Sequence, residues 1–443
     1  MELVVEAGAA VTMTRRGVVK EALIVVEGDR IVDVGPRREL ARKYRGYDRL
    51  DASNCVVTPG LVNAHTHAAM TLLRGYADDL PLRPWLEQKI WPLEAVMDDR
   101  SIYVGALLAC VESALMGVTC LNTMYHFKPE LNEAKAIAEA GLRGFVGHVC
   151  FTWRREEDLK ASKELVAKWH GARGGRVRAT IDPHAPYTVD PDYLMELCRL
   201  AQELSEKTGL PIPVHIHLAE TEDEALKVKE AFNVDVGEGV VAYLDRLGVL
   251  GPWLVAAHCV WLSDREVELL VERGVKVVHC PVSNLKLGAG IAPIPKLLSK
   301  GATIALGTDS ACSNNVLDLL ETAKLAALLH KGIGRDPTLI RAEDALKMAT
   351  VNGAAALEVG CYGLVEGGEA DFMLLDASAS TFNPVPSPLS IISHLVYAGE
   401  SLRPRFLVVG GRLVLRDGVF TRVDERRVVE EASRAAESLL KPS

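Results

Sequence analysis

Between about Val56 and Leu357 the chain alternates short, apolar, β-branched runs with longer amphipathic stretches. The short runs are Thr119 to Met124, Gly144 to Cys150, Val177 to Asp182, Ile212 to His217, Leu254 to Val260, Lys276 to Pro281 and Thr303 to Gly307. With the run at Val56 they predict eight strands. Between them, apolar residues recur at helical spacing, for example over Ile102 to Met116, Leu159 to Trp169, Tyr193 to Glu206, Asp264 to Glu272 and Val316 to Leu329. Eight βα units without a repeated Gly-rich phosphate fingerprint predict an α/β fold, a closed (β/α)8 TIM-like barrel over 58–359.

The ends of the chain follow another rhythm. Glu21 to Gly35 alternates around a Gly28-Asp29 turn, and Phe406 to Phe420 alternates around Gly410-Gly411 and Asp417-Gly418. Both are hairpin signals. Residues 1–57 plus 360–443 are therefore expected to form a composite β-sandwich built from both chain termini. The length agrees, because 443 residues exceed the roughly 250 of one barrel.

Residues capable of chemistry stand where the apolar runs stop. The run Cys55 to Thr58 leads to His65 and His67, two imidazoles at i and i+2, a spacing that shares one face of a strand. Farther on come His215-Ile-His217-Leu-Ala-Glu220, Ala257-His258-Cys259 and Gly307-Thr308-Asp309. An α/β barrel keeps its active site at such strand ends. Three or four of them converging on one axis would build a nitrogen and oxygen site for a divalent cation, zinc or ferrous iron, with a position open to water. No CxxC spacing occurs and the nine cysteines stand singly. Thiolate zinc sites and a disulfide framework are therefore not expected.

The net charge of −9 argues against nucleic acid or an anionic membrane as partner, since both need a basic footprint. No apolar run approaches the roughly 20 residues of a membrane span, and the first residues show no secretory pattern. A cytoplasmic enzyme acting on a small molecule is the expectation. Homo-oligomers are common among soluble enzymes, and nothing in the chain selects a number of copies. Only two glutamines, Gln88 and Gln202, occur, a hint of a hot habitat.

The stretches Pro59-Gly-Leu-Val-Asn-Ala-His65-Thr-His67 through Arg74, Asp182-Pro-His184-Ala-Pro-Tyr187, His217-Leu-Ala-Glu220-Thr, Ala257-His258-Cys-Val, Ser283-Asn284-Leu-Lys286 and Gly307-Thr-Asp309 together resemble the metal-dependent amidohydrolase superfamily. Within it they look most like the branch that deaminates 5′-methylthioadenosine and S-adenosylhomocysteine. The resemblance implies one metal, zinc before iron, held by His65, His67, His217 and Asp309. It leaves His215 as an inward packing residue. Members with two metals bridge them with a carboxylated lysine or a glutamate from a middle strand, and Val177 to Asp182 offers no lysine. It also implies Glu220 as the acid for the ring nitrogen, His258 as the residue that polarises the water, and Asp309 as the proton carrier.

For the substrate, the resemblance implies Glu94 on the ribose hydroxyls, His184 near the ribose or its 5′ group, and Trp85 and Trp91 in an apolar lid. His148 stands where close relatives carry an arginine suited to an amino-acid carboxylate, and Arg154 matches a second such arginine. Histidine is a poorer carboxylate clamp than the arginine fork. Methylthioadenosine, 5′-deoxyadenosine or adenosine is therefore expected ahead of adenosylhomocysteine. The same apparatus could serve guanine, cytosine or triazine hydrolysis. A metal-free scaffold is the non-enzymatic alternative, which the complete ligand set opposes.

Overall fold

The structure is a computed structural model and describes residues 2–440. Eight parallel strands, β1 (Leu61–Thr66), β2 (Val118–Tyr125), β3 (Arg143–Cys150), β4 (Val177–Pro183), β5 (Val214–Leu218), β6 (Leu254–His258), β7 (Lys276–His279) and β8 (Ile304–Leu306), pair in chain order. The chain leaving β8 returns to β1, where the Asp309 N–H donates to the His65 carbonyl at 3.0 Å. Every residue of the eight strands is buried except Arg178 and Lys276, as strands covered on both faces require. Side-chain caps start five of the intervening helices: Asp98, Asn132, Asp190, Ser263 and Asp318 each accept a first-turn N–H.

The run at Val56 is not the first barrel strand. It lies in Asp48–Pro59, a central strand of a second sheet, parallel to Glu2–Val11 and antiparallel to Phe372–Asp376. The barrel begins one residue later, at Leu61. A single glycine separates the two strands, so their apolar patterns run together in sequence. Gly60 is the crossing point, and a Cβ there would lie 2.2 Å from the Thr119 side chain.

The second sheet joins both ends of the chain, as expected. Its order is Val419–Phe420, Arg412–Arg416, Pro404–Val409, Phe372–Asp376, Asp48–Pro59, Glu2–Val11, Val18–Glu27, Arg30–Pro36. One face gathers Leu3, Val5, Ile24, Phe372, Leu374 and Phe406 into its own core. From the other face, Met373, Leu375, Leu407 and Val409 enter the barrel's core.

The ends are not all-β, however. Pro388–Tyr397 and Glu425–Leu440 are helices, and the second lies against the barrel helix Asp99–Leu115. Its Ala432 shares a cluster with Trp85 and Ile90 of the lid. The buried stripe of that helix is mostly alanine among many charges, a weak signal beside the preceding hairpins.

At the end of the barrel away from the histidines, a charge cluster ties barrel to sheet. Arg143, first in β3, donates through Nε to Asp371 Oδ2 and through Nη2 to Glu369 Oε2, both at 2.7 Å. Asp371 Oδ1 also accepts the Gly410 N–H at 2.7 Å, and Arg30 pairs with Glu369 at 2.7 Å. Among the described residues, no helix is long and apolar enough to cross a membrane.

Candidate active site

Four strand ends converge on one point. His67 Nε2 lies 3.2 Å from His217 Nε2 and 3.2 Å from Asp309 Oδ1, and His65 Nε2 lies 3.4 Å from the same oxygen. A tetrahedral site with donors about 2.0–2.1 Å from zinc has edges of about 3.3 Å, so these atoms already stand as ligands would. His258 joins His65 and Asp309 in an overlapping triad. The backbone bends sharply to aim these groups: His258 has φ of 73° and Asp309 of 59°. Such left-handed conformations cost a non-glycine residue about 1–3 kcal/mol and gather at functional sites.

The surrounding hydrogen bonds decide which nitrogens are free. His67 Nδ1 donates to the Met124 carbonyl at 2.7 Å, His217 Nδ1 to the His184 carbonyl at 2.7 Å, and His258 Nδ1 to Asn284 Oδ1 at 2.8 Å. Each Nε2 is then a lone pair turned into the cage. Asp309 Oδ2 accepts from Ser283 Oγ at 2.6 Å and Ser313 Oγ at 2.9 Å, which leaves Oδ1 to the cage. His65 Nε2 and His258 Nε2 are buried without a hydrogen-bond partner among the described residues.

Burial holds His65 and His217 well below the ordinary imidazole value, in the neutral form that binds metals. Burial also lowers His67, but Asp309 outweighs it and raises this imidazole to about 9, so its Nε2 shares a proton with the carboxylate that a bound cation would displace. A buried carboxylate facing inward lone pairs calls for a cation, and the donor set fits a divalent one.

Glu220 stands beside this cage, its Oε1 3.8 Å from His258 Nε2. Burial raises its carboxyl above the usual range, against the pull of His258. Two further glutamates, not singled out in the sequence, fix the local backbone. Glu224 accepts the Ala219 N–H at 2.8 Å and the Glu220 N–H at 2.9 Å. Glu133 accepts the Ala69 N–H at 2.9 Å and the Thr123 hydroxyl at 3.0 Å, pinning the turn after His67. Burial raises both to about 7, with the N–H donors pulling back. Each sits in the first turn of a helix, where acidic residues are ordinary, so their role left no local signal.

The pocket above the cage is walled by Trp85, Trp91, Glu94, His184, Tyr187 and Phe151, among others. The lid is one helical stretch over 82–94, with a wide turn at Leu86–Ile90, a distortion common at functional sites. His184 donates from Nδ1 to Thr188 Oγ1 at 2.9 Å, and burial lowers it to about 3, so it presents a neutral face.

His148 and Arg154 are not among the lining residues. His148 Nδ1 accepts the Phe127 N–H at 2.9 Å, so Nε2 carries the proton and donates to Asp158 Oδ1 at 2.9 Å. Arg154 pairs with Asp158 at 3.3 Å and Glu157 at 3.6 Å. A carboxylate one helical turn beyond Arg154 occupies both. His126 lines the pocket as well, with no local pattern in the sequence to mark it. His279 faces His330 at 3.4 Å, away from the pocket.

A divalent-cation cage at the carboxyl end of a closed barrel, with a buried carboxylic acid beside it, defines a metal-assisted hydrolase. The chain belongs to the amidohydrolase family, whose model matches residues 56–414. It is 42% identical over 428 residues to the 5′-deoxyadenosine deaminase of Methanosarcina mazei, covering 96% of this chain and 95% of that one. It is 41% identical over 397 residues to the 5-methylthioadenosine/S-adenosylhomocysteine deaminase of Dictyoglomus thermophilum, covering 89% and 90%. A solved adenosine deaminase from Xanthomonas campestris with bound zinc superposes with a TM-score of 0.91 at 33% identity, covering 99% of this chain and 98% of that one.

Proposed function

We propose that this enzyme hydrolyses the 6-amino group of an adenosine derivative, giving the inosine derivative and ammonia, with zinc as its metal and ferrous iron as the alternative. The observation that carries this reading is Glu220, a buried carboxyl raised in pKa beside the cage formed by His65, His67, His217 and Asp309. The names of the relatives agree with it.

A divalent cation held by His65, His67, His217 and Asp309 would supply the Lewis acidity that brings the pKa of a bound water to about 7. Asp309, through Oδ1, accepts the proton of the attacking water. Glu220 donates its proton to the ring nitrogen beside C6, which makes that carbon electrophilic. His258 Nε2 faces the attacking oxygen, and Asn284 fixes its orientation. When the C6–N bond breaks, the proton held by Asp309 goes to the leaving amine, so ammonia departs neutral. The ring nitrogen keeps the proton from Glu220, and the hydroxyl proton on C6 returns Glu220 to its acid form as that oxygen becomes the inosine carbonyl. Glu94 and His184 would hold the ribose, which a bare base or a triazine lacks.

The walls favour a short 5′ group. Among the described residues lining the pocket there is no lysine or arginine. Arg83 and Lys227, in the adjoining vestibule, are paired with Glu87 and Asp223. An amino-acid carboxylate would find no free cation, so 5′-deoxyadenosine and 5′-methylthioadenosine are preferred over adenosylhomocysteine. Nine unpaired cysteines suit a reducing cytoplasm.

The test follows the ultraviolet change of adenine to hypoxanthine with 5′-deoxyadenosine, methylthioadenosine, adenosine and adenosylhomocysteine, beside guanine and cytosine. Turnover led by the 5′-deoxy and 5′-thio compounds is expected. Activity confined to the free bases would overturn the nucleoside reading.

A further inference from the structure

Behind His65, away from the pocket, two more polar groups stand in line. His65 Nδ1 lies 2.8 Å from His215 Nε2, and His215 Nδ1 lies 3.4 Å from Asp182 Oδ2. All three side chains are wholly buried, and strands β1, β5 and β4 supply one each. Neither His215 nor Asp182 lines the pocket, so neither is placed to touch a substrate.

The line has a direction. A carboxylate can only accept, and apart from this 3.4 Å approach neither the Asp182 oxygens nor His215 Nδ1 have a hydrogen-bond partner among the described residues. In so dry a place the His215 proton belongs on Nδ1, facing that carboxylate. His215 Nε2 is then a lone pair, and the attractive contact at 2.8 Å requires the hydrogen on His65 Nδ1. His65 Nε2 is left bare, and it is the atom that faces the cage. Two imidazole tautomers are thus set in series by one carboxylate.

Asp182 is seated at some cost elsewhere. A Cβ on Gly147 would lie 2.0 Å from the Asp182 carboxyl carbon, so β3 gives up a side chain to make room for it. Simple packing needs no carboxylate there, and an apolar residue would fill the space without the loss of hydration.

We propose that His215 and Asp182 are positioning residues for the metal, holding His65 in the tautomer that binds and so setting how tightly the barrel keeps its cation. The inference rests on the metal reading above. Partners of this kind are worth about 10–100-fold in metal affinity.

The experiment strips the full-length protein, measures zinc affinity by competition with a chromophoric chelator, and measures thermal melting of the stripped form. His215→Leu is expected to weaken zinc by about 10–100-fold. His215→Gln, whose side-chain carbonyl can accept the same N–H, should recover most of the loss. Asp182→Asn and Gly147→Ala should fall between. Wild-type affinity in His215→Leu overturns the proposal, and so does an equal loss in the Leu and Gln variants that follows their melting temperatures. A wild type that binds no divalent cation removes the metal reading itself, a result distinct from either.

Discussion

The barrel buries charge at both ends, and the two ends treat it oppositely. At the Arg143 end the guanidinium meets two carboxylates, and Asp371 takes a backbone N–H besides. At the other end a carboxylate faces imidazole nitrogens, His65 Nε2 and His258 Nε2 have no partner among the described residues, and Ala219, His258, Cys259 and Asp309 adopt left-handed backbone. The first arrangement is complete within the chain. The second is complete only with something added, which is what separates a structural cluster from a site.

The strongest way to test this contrast is Glu220→Gln, which keeps the shape and removes the proton. Turnover should fall about 10²–10⁴-fold with zinc content unchanged, as read by steady-state rates and elemental analysis. Rates within a few-fold of wild type would strip Glu220 of its role. At the other end, Arg143→Met leaves Glu369 and Asp371 without their main partner and should cost about 3–5 kcal/mol in urea unfolding, while turnover per folded molecule stays near wild type. A large fall in turnover would mean that the two ends are coupled.

Zinc should raise stability by about 2.7 kcal/mol at a hundred times its Kd. Arg143→Met should show the same gain, since distant sites add. Unequal gains would again argue for coupling.

The mildest test is pH. Glu220 is raised by burial, so its acid form persists above the ordinary carboxylate range and is lost as pH rises through the raised value. Turnover should therefore decline on the alkaline side. A rate that stays flat there in wild type would mean that the proton comes from elsewhere.

The barrel was legible because its strands are short apolar runs with polar residues at their ends, and local spacing brought out His65, His67, His215, His217, Glu220, His258 and Asp309 as candidates, among which the family resemblance chose His217 over His215. What escaped depends on partners with no local period. His215 reads as packing until His65, 150 residues away, is seen beside it, and Arg143 meets Asp371 across 228 residues. His148 was expected near the substrate because it stands where relatives carry an arginine, and the partner that occupies it instead, Asp158, approaches from the following helix. Gly60 was missed because one residue is too short an interruption to divide two apolar strands.

The direct passage of Asp48–Pro59 through Gly60 into the strand of His65 has a consequence for how the molecule is made. Pro59 pairs with Phe372, so about 300 residues of synthesis, roughly 15–60 s at 5–20 residues per second, separate this strand from its neighbour. Until then one edge of the strand that leads to the metal ligands stays open on the ribosome. An open strand edge is the feature that nascent chains aggregate through, so the yield of soluble enzyme is set by how well that edge is guarded while the barrel is still being translated.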